Sequence, residues 1–314
     1  MIIHKNLLKD AGRLFFWYPI RWLVLLLPFS AVYFLGGLFG RIDLLASGGR
    51  RRAVMLGNIE AALGCAPQEA RRILEANIQT HCRNVLEFLK YPSLVKKGRA
   101  AKVVSVRGGE NLAAAAAQGR GVILATAHFG AKQQLQVVVP ALGYKVNQYI
   151  YHAPPSELSF VQRQVAQRLR LRIEASFPVA YMQAGRFLRK GFECLKAGEV
   201  LILAADGSGV ADHIDASYKA FPFLKSQILL PVNMVPLARK TGAAIVPVFV
   251  VRNGWRHEVV FEPALPLADA SDEAAMTQYA RLLESHICAR PELWEFWEEF
   301  CEGKLVPGAA SSRA

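Results

Sequence analysis

Gly121-Val-Ile-Leu-Ala-Thr-Ala-His-Phe-Gly130 is the stretch that decides the fold. A short apolar run between glycines reads as a buried strand, and this one carries an imidazole, His128, to its end. Open α/β sheets place ligands and chemistry at strand ends of this kind.

Outward from this stretch the chain alternates. Strand patterns cover 103–107, 122–127, 146–151, 200–205, 244–251 and 258–263. Helical patterns cover 111–118, 132–142, 157–169, 180–197, 232–240 and 271–290. Strands separated by helices predict an α/β fold, a mostly parallel sheet flanked by helices. Upstream, Met55, Ile59 and Leu63, then Ile73, Ile78, Val85, Leu86 and Leu89, predict two helices broken at Gly64-Cys-Ala-Pro67. No repeat and no long linker divides the chain, so 46–305 is expected to be one α/β domain, with a disordered tail at 306–314.

The 53% hydrophobic content excludes disorder for most of the 314 residues. A formal charge of +13 favours anionic partners, whether nucleic acid, an anionic membrane or an acidic carrier protein. Dispersed basic residues with no recognised motif argue against nucleic acid. Cys65, Cys82, Cys194, Cys288 and Cys301 show no CxxC spacing, so reduced thiols are expected and neither a disulfide framework nor a metal site is.

The amino-terminal 1–45 reads as a membrane anchor. Residues 22–40 carry no charge, and a spanning helix needs roughly 20 such residues. Pro28 and Gly36-Gly37 weaken a straight span, whereas Trp17, Tyr18 and Trp22 beside Arg13 and Arg21 resemble an interfacial belt. A tilted span and a helix lying among the headgroups are both open. A cleaved signal peptide fits poorly, because the lead is long and no small-x-small site follows. Arg50-Arg51-Arg52 suits anionic headgroups on the cytoplasmic side.

A histidine base needs a partner that fixes its tautomer. Five residues after His128, where a carboxylate would serve, stands Gln133, whose carboxamide cannot stabilise an imidazolium. Asp206 follows the apolar run 200–205 and would emerge at the same sheet edge, so it is the candidate carboxylate. Gly130 is expected to free backbone amides for an anion or oxyanion. Arg186, Arg189 and Lys190 share one helical pattern and could hold a phosphate or an acyl carrier. Glu157 and Glu174 are weaker candidates.

Several segments together resemble the lipid A biosynthesis acyltransferases, the lauroyl and myristoyl transferase branch of the lysophospholipid acyltransferase superfamily. They are the anchor, Arg50-Arg-Arg-Ala-Val-Met-Leu-Gly-Asn-Ile-Glu60, Ala127-His-Phe-Gly130 and Leu203-Ala-Ala-Asp-Gly207, followed by 237–249, Leu282-Leu-Glu-Ser-His-Ile287 and Pro291-Glu-Leu-Trp294. The resemblance implies a histidine, four residues, then Asp or Glu; His128 matches that motif and Gln133 departs from it. It also implies acyl carrier protein or acyl-CoA as donor, a lipid acceptor, the cytoplasmic face of the inner membrane, and no cofactor. The alternative that Gln133 raises is a noncatalytic acyl-carrier or lipid-binding protein on the same fold.

Overall fold

The computed structural model describes residues 7–46, 48–96, 98–150, 158–183, 188–207, 214–268 and 270–308. Helices lead the chain: α1 (Leu7–Phe15), a π-helical turn (Phe16–Ile20) containing Pro19, α2 (Arg21–Leu26), α3 (Phe29–Ala46), α4 (Gly49–Leu63), α5 (Pro67–Phe88) and the single turn α6 (Tyr91–Leu94). Alternation follows, through β1 (Val104–Arg107), α7 (Gly109–Ala116), β2 (Val122–Thr126), α8 (Leu135–Ala141), β3 (Val146–Ile150), α9 (Arg168–Glu174), β4 (Val179–Gln183), α10 (Leu188–Lys196) and β5 (Val200–Ala204). A hairpin, β6 (Tyr218–Phe223) and β7 (Ser226–Pro231), precedes α11 (Met234–Thr241), β8 (Ala244–Asn253), β9 (Arg256–Phe261) and α12 (Asp272–Ala289). Local chemistry sets several of these limits. Pro67 occupies the first turn of α5, where its missing N–H costs nothing, and the Ser271 hydroxyl caps α12 by accepting from the Ala274 amide.

The main sheet runs β1-β9-β8-β2-β5-β3-β4, parallel at every junction except β8 against β9. Strand β2 lies in the middle and is buried along its whole length. Its alternation divides the core: Ile123 and Ala125 join one apolar cluster, Val122 and Leu124 the cluster on the opposite face. Burial on both faces explains why the strand reads as an unbroken apolar run.

Two expectations are corrected. The helix over 180–197 divides into the edge strand β4 and the shorter α10, because 179–183 finds parallel partners on β3, Val146 opposite Val179. A hydrogen-bonded neighbour decided that segment, which periodicity alone could not. The stretch after Asp206, expected to be irregular, holds the β6–β7 hairpin, which turns at Leu224 with φ +52°. Of the expected tail, Val306 donates to the Cys301 carbonyl, and 309–314 lie outside the described residues.

Helix α3 is the one described helix long and apolar enough to cross a membrane. Its Val32, Gly36, Gly37 and Gly40 are buried, and a Cβ on Gly36 or Gly40 would come within 2.7 or 2.5 Å of the Cα of Arg83 or Gln79. Glycine therefore allows α3 and α5 to lie antiparallel in backbone contact. Arg83 stacks on the Tyr33 ring and donates to its carbonyl, while Lys90 donates to the carbonyls of Val24, Leu25 and Leu27 at the end of α2.

Candidate active site

Parallel register brings the two principal residues together. Thr126 on β2 lies opposite Ala204 on β5, so His128 and Asp206, each two residues further on, leave the sheet side by side. The Ala205 amide extends the ladder by donating to the Thr126 carbonyl. One oxygen of the Asp206 carboxylate lies 2.8 Å from His128 Nδ1, and the other accepts the His128 backbone N–H at 2.6 Å. Asp206 is fully buried, and the His128 side chain is 23% exposed. A carboxylate facing Nδ1 places the ring proton there and leaves Nε2 as a bare acceptor. Gln133, by contrast, is no hydrogen-bond partner of the ring.

The carboxyl-terminal segment holds the histidine loop from the other side. Phe129 bridges to Trp294, the Gly130 amide donates to Leu293, and the Glu295 amide donates to the His128 carbonyl. Phe296 stacks on the imidazole with centroids 4.3 Å apart. Asn77 on α5 and Asn58 on α4 donate to the Trp294 and Trp297 carbonyls and hold this segment in place.

The Gly130 N–H itself donates to the Leu293 carbonyl. The residue is needed for conformation: its φ is +60°, and a Cβ would lie 1.8 Å from the Val250 carbonyl oxygen. Asn84 donates to the Gly130 carbonyl from α5.

Behind Asn84 is a buried charge cluster that the sequence did not disclose. Arg252 donates to both oxygens of Glu87, at 2.7 and 2.8 Å, and to Asn84 Oδ1 at 2.6 Å. His257 Nε2 lies 2.9 Å from Glu87. Arg252 closing the apolar run of β8 and Glu87 on the apolar side of α5 were the only sequence signs of it. Burial lowers the His257 pKa despite Glu87, so the ring is neutral and donates from Nε2.

Lys132, four residues after His128, reaches the same end of the sheet. Its side chain is 18% exposed and pairs at 3.8 Å with Glu295 Oε2. Burial pulls its pKa down, and Glu295 and Asp206 oppose that. Next to Asp206 an apolar cavity of about 150 Å³ is lined by Tyr149, Leu203, Ala204, Ala205, Met234 and Leu237.

Among the described residues the remaining candidates are not hydrogen-bonded to His128 or Asp206. Arg189 is 80% exposed and pairs along α10 with Glu193; Lys190 is exposed beside it. Glu174 pairs with Arg170 at the end of α9. Arg186 and Glu157 lie outside the described residues. Among the described residues no group of three or more His, Cys, Asp or Glu is placed to hold a metal ion.

The sequence matches the family model of the bacterial lipid A biosynthesis acyltransferases over residues 4–298. A similar solved structure is that of the 1-acyl-sn-glycerophosphate acyltransferase PlsC from Thermotoga maritima. It is 13% identical, the match covers 83% of this chain and 97% of that one, and the TM-score is 0.36. A search of curated proteins finds no match.

Proposed function

The chain belongs to the bacterial lipid A biosynthesis acyltransferase family, and from that premise we propose that it moves a fatty acyl group from acyl carrier protein or acyl-CoA to a lipid or glycolipid acceptor, with His128 as general base. The observation that carries this reading is the Asp206 carboxylate gripping both Nδ1 and the backbone N–H of His128. It supplies from β5 the negative charge that Gln133 lacks.

In this mechanism the acceptor hydroxyl hydrogen-bonds to Nε2 and gives up its proton as its oxygen attacks the thioester carbonyl. Asp206 stabilises the imidazolium that forms. Collapse of the tetrahedral intermediate breaks the carbon–sulfur bond, and the leaving thiolate takes the proton back from Nε2. The apolar cavity beside Asp206 suits the acyl chain, at about 0.8 kcal/mol for each buried methylene. The excess of positive charge agrees with an acidic donor and with anionic lipid.

The test is mass spectrometry of a total lipid extract incubated with the protein and mixed acyl carrier and acyl-CoA donors. Acylated product supports the reading. Saturable donor binding without turnover would replace it with the noncatalytic alternative.

We read the membrane contact as interfacial and place it on the cytoplasmic face of the inner membrane. On the side of α3 away from α5, Phe34, Leu38, Ile42 and Leu45 are exposed, and Phe15, Tyr18, Trp22 and Leu26 are exposed on the segments before it. Apolar surface of this extent marks an interaction site, and Arg13, Arg21 and Arg41 suit a headgroup layer. A spanning α3 would draw α5, with Arg83 and Glu87, into hydrocarbon, where charged groups are costly. Alkaline carbonate is therefore expected to release the protein from membranes. Retention in the pellet until detergent is added would show a span.

A further inference from the structure

Lys132 is a charged side chain that the histidine–aspartate pair does not account for. Its ammonium carries three N–H donors yet makes no hydrogen bond among the described residues; its ion pair with Glu295 is long, at 3.8 Å. Its Nζ reaches the protein surface, so these donors are open to a bound group.

Its position lies at the same sheet end as the histidine–aspartate pair. Lys132 follows His128 by four residues across the Gly130 turn. Its partner Glu295 donates its amide to the His128 carbonyl, and the next residue, Phe296, covers the imidazole. The same short segment thus carries both the residue that covers the ring and the acid that pairs with Lys132. Two backbone amides beside the ring are already taken, His128 N–H by Asp206 and Gly130 N–H by Leu293.

We propose that Lys132 is a further catalytic residue, donating to the oxyanion that forms when the acceptor oxygen adds to the acyl carbonyl. This rests on the acyl-transfer reading above. The electron pair of the carbonyl π bond moves to oxygen as the new carbon–oxygen bond forms, and it returns as the thiolate leaves. Lys132 gives a hydrogen bond throughout and transfers no proton. Groups of this kind act mainly on the transition state, and removing one donor costs about 10²- to 10³-fold in kcat.

Lys132→Met keeps the length of the stem and removes the charge. It is expected to lower kcat about 10²- to 10³-fold with KM for the donor nearly unchanged, and Lys132→Arg is expected to restore part of the loss. A rise in KM with kcat intact would overturn the proposal, because the lysine would then be holding the anionic head of the donor.

A second measurement needs no turnover. Octylphosphonate presents a tetrahedral anion on an apolar chain, and octanol presents the same chain without charge. Calorimetry is expected to show phosphonate affinity falling about 100-fold in Lys132→Met, in proportion to the loss of one donor, with octanol binding unchanged. Equal phosphonate affinity in the two proteins would overturn the oxyanion role. A wild-type protein that transfers no acyl group yet binds phosphonate through Lys132 would count against the acyl-transfer reading and keep the anion site.

Discussion

Asp206→Asn is expected to lower acyl transfer by about 10⁴, the magnitude seen when the orienting carboxylate of a serine protease becomes an amide. The geometry explains why the amide cannot substitute. Both carboxylate oxygens act as acceptors, one for the His128 backbone N–H and one for Nδ1–H. Asparagine has a single acceptor oxygen, so its NH₂ must face either the backbone N–H or the ring. Facing the ring, it would force the proton onto Nε2, the atom that has to be bare. Facing the backbone, it would set two donors against each other at a fully buried site. His128→Ala should remove transfer altogether, while Gln133→Glu should change the rate by less than about tenfold, since Nδ1 is already held. Product formation in the lipid-extract assay decides among these. An undiminished rate in Asp206→Asn would exclude the carboxylate's role, and a large gain in Gln133→Glu would make Gln133 the seat of a defect.

Glu87→Gln is expected to destabilise the fold by about 3–5 kcal/mol, the usual cost of leaving one member of a buried ion pair uncompensated. Arg252 is 3% exposed, and Glu87 accepts from two of its nitrogens as well as from His257. Burial alone would raise the Glu87 pKa, but Arg252 and His257 overcome it and hold the carboxyl at about 2, below its ordinary 4.5. The sign follows from linkage. A depressed carboxyl contributes its full stabilisation above pH 4.5 and loses it as pH falls from there toward about 2. His257, lowered by burial below 6.5, acts in the same direction: the unfolded chain takes up its proton first, so stability begins to decline below that pH. Denaturant unfolding of wild type and variant at neutral pH and at intervals down to pH 2 tests both points. The wild type should lose stability through the acid window, and Glu87→Gln should begin lower and respond less to acid. A variant within 1 kcal/mol of wild type, on the order of ordinary surface changes, would show that the cluster does not hold α5 to the sheet. Because Arg252 also holds Asn84, and Asn84 holds the Gly130 carbonyl, the destabilised variant should transfer acyl groups less well too.

The amino-acid sequence by itself determined the class of fold and the two members of the histidine–aspartate pair. Apolar runs at 122–127 and 200–205 and helical spacing between them are local patterns, readable from periods of 2 and 3.6 residues. A parallel sheet then places the residues that follow such runs at one edge. His128 and Asp206 were legible for that reason, as was the apolar surface of the leading helices.

Tertiary structure alone decided how these parts meet. The register of Thr126 against Ala204 brings a carboxylate 78 positions away onto the imidazole, where the sequence offered Asp206 only as a candidate at the same sheet edge. It turned 179–183 into a strand by giving it β3 as a partner, and it closed the Gly130 amide with Leu293. It also paired Glu87 with Arg252 across 165 residues and laid the glycine face of α3 on α5. Periodicity records which face of an element is buried. Which hydrogen-bond donor meets which acceptor is set by register and topology between elements far apart in the chain, and no local pattern carries that information.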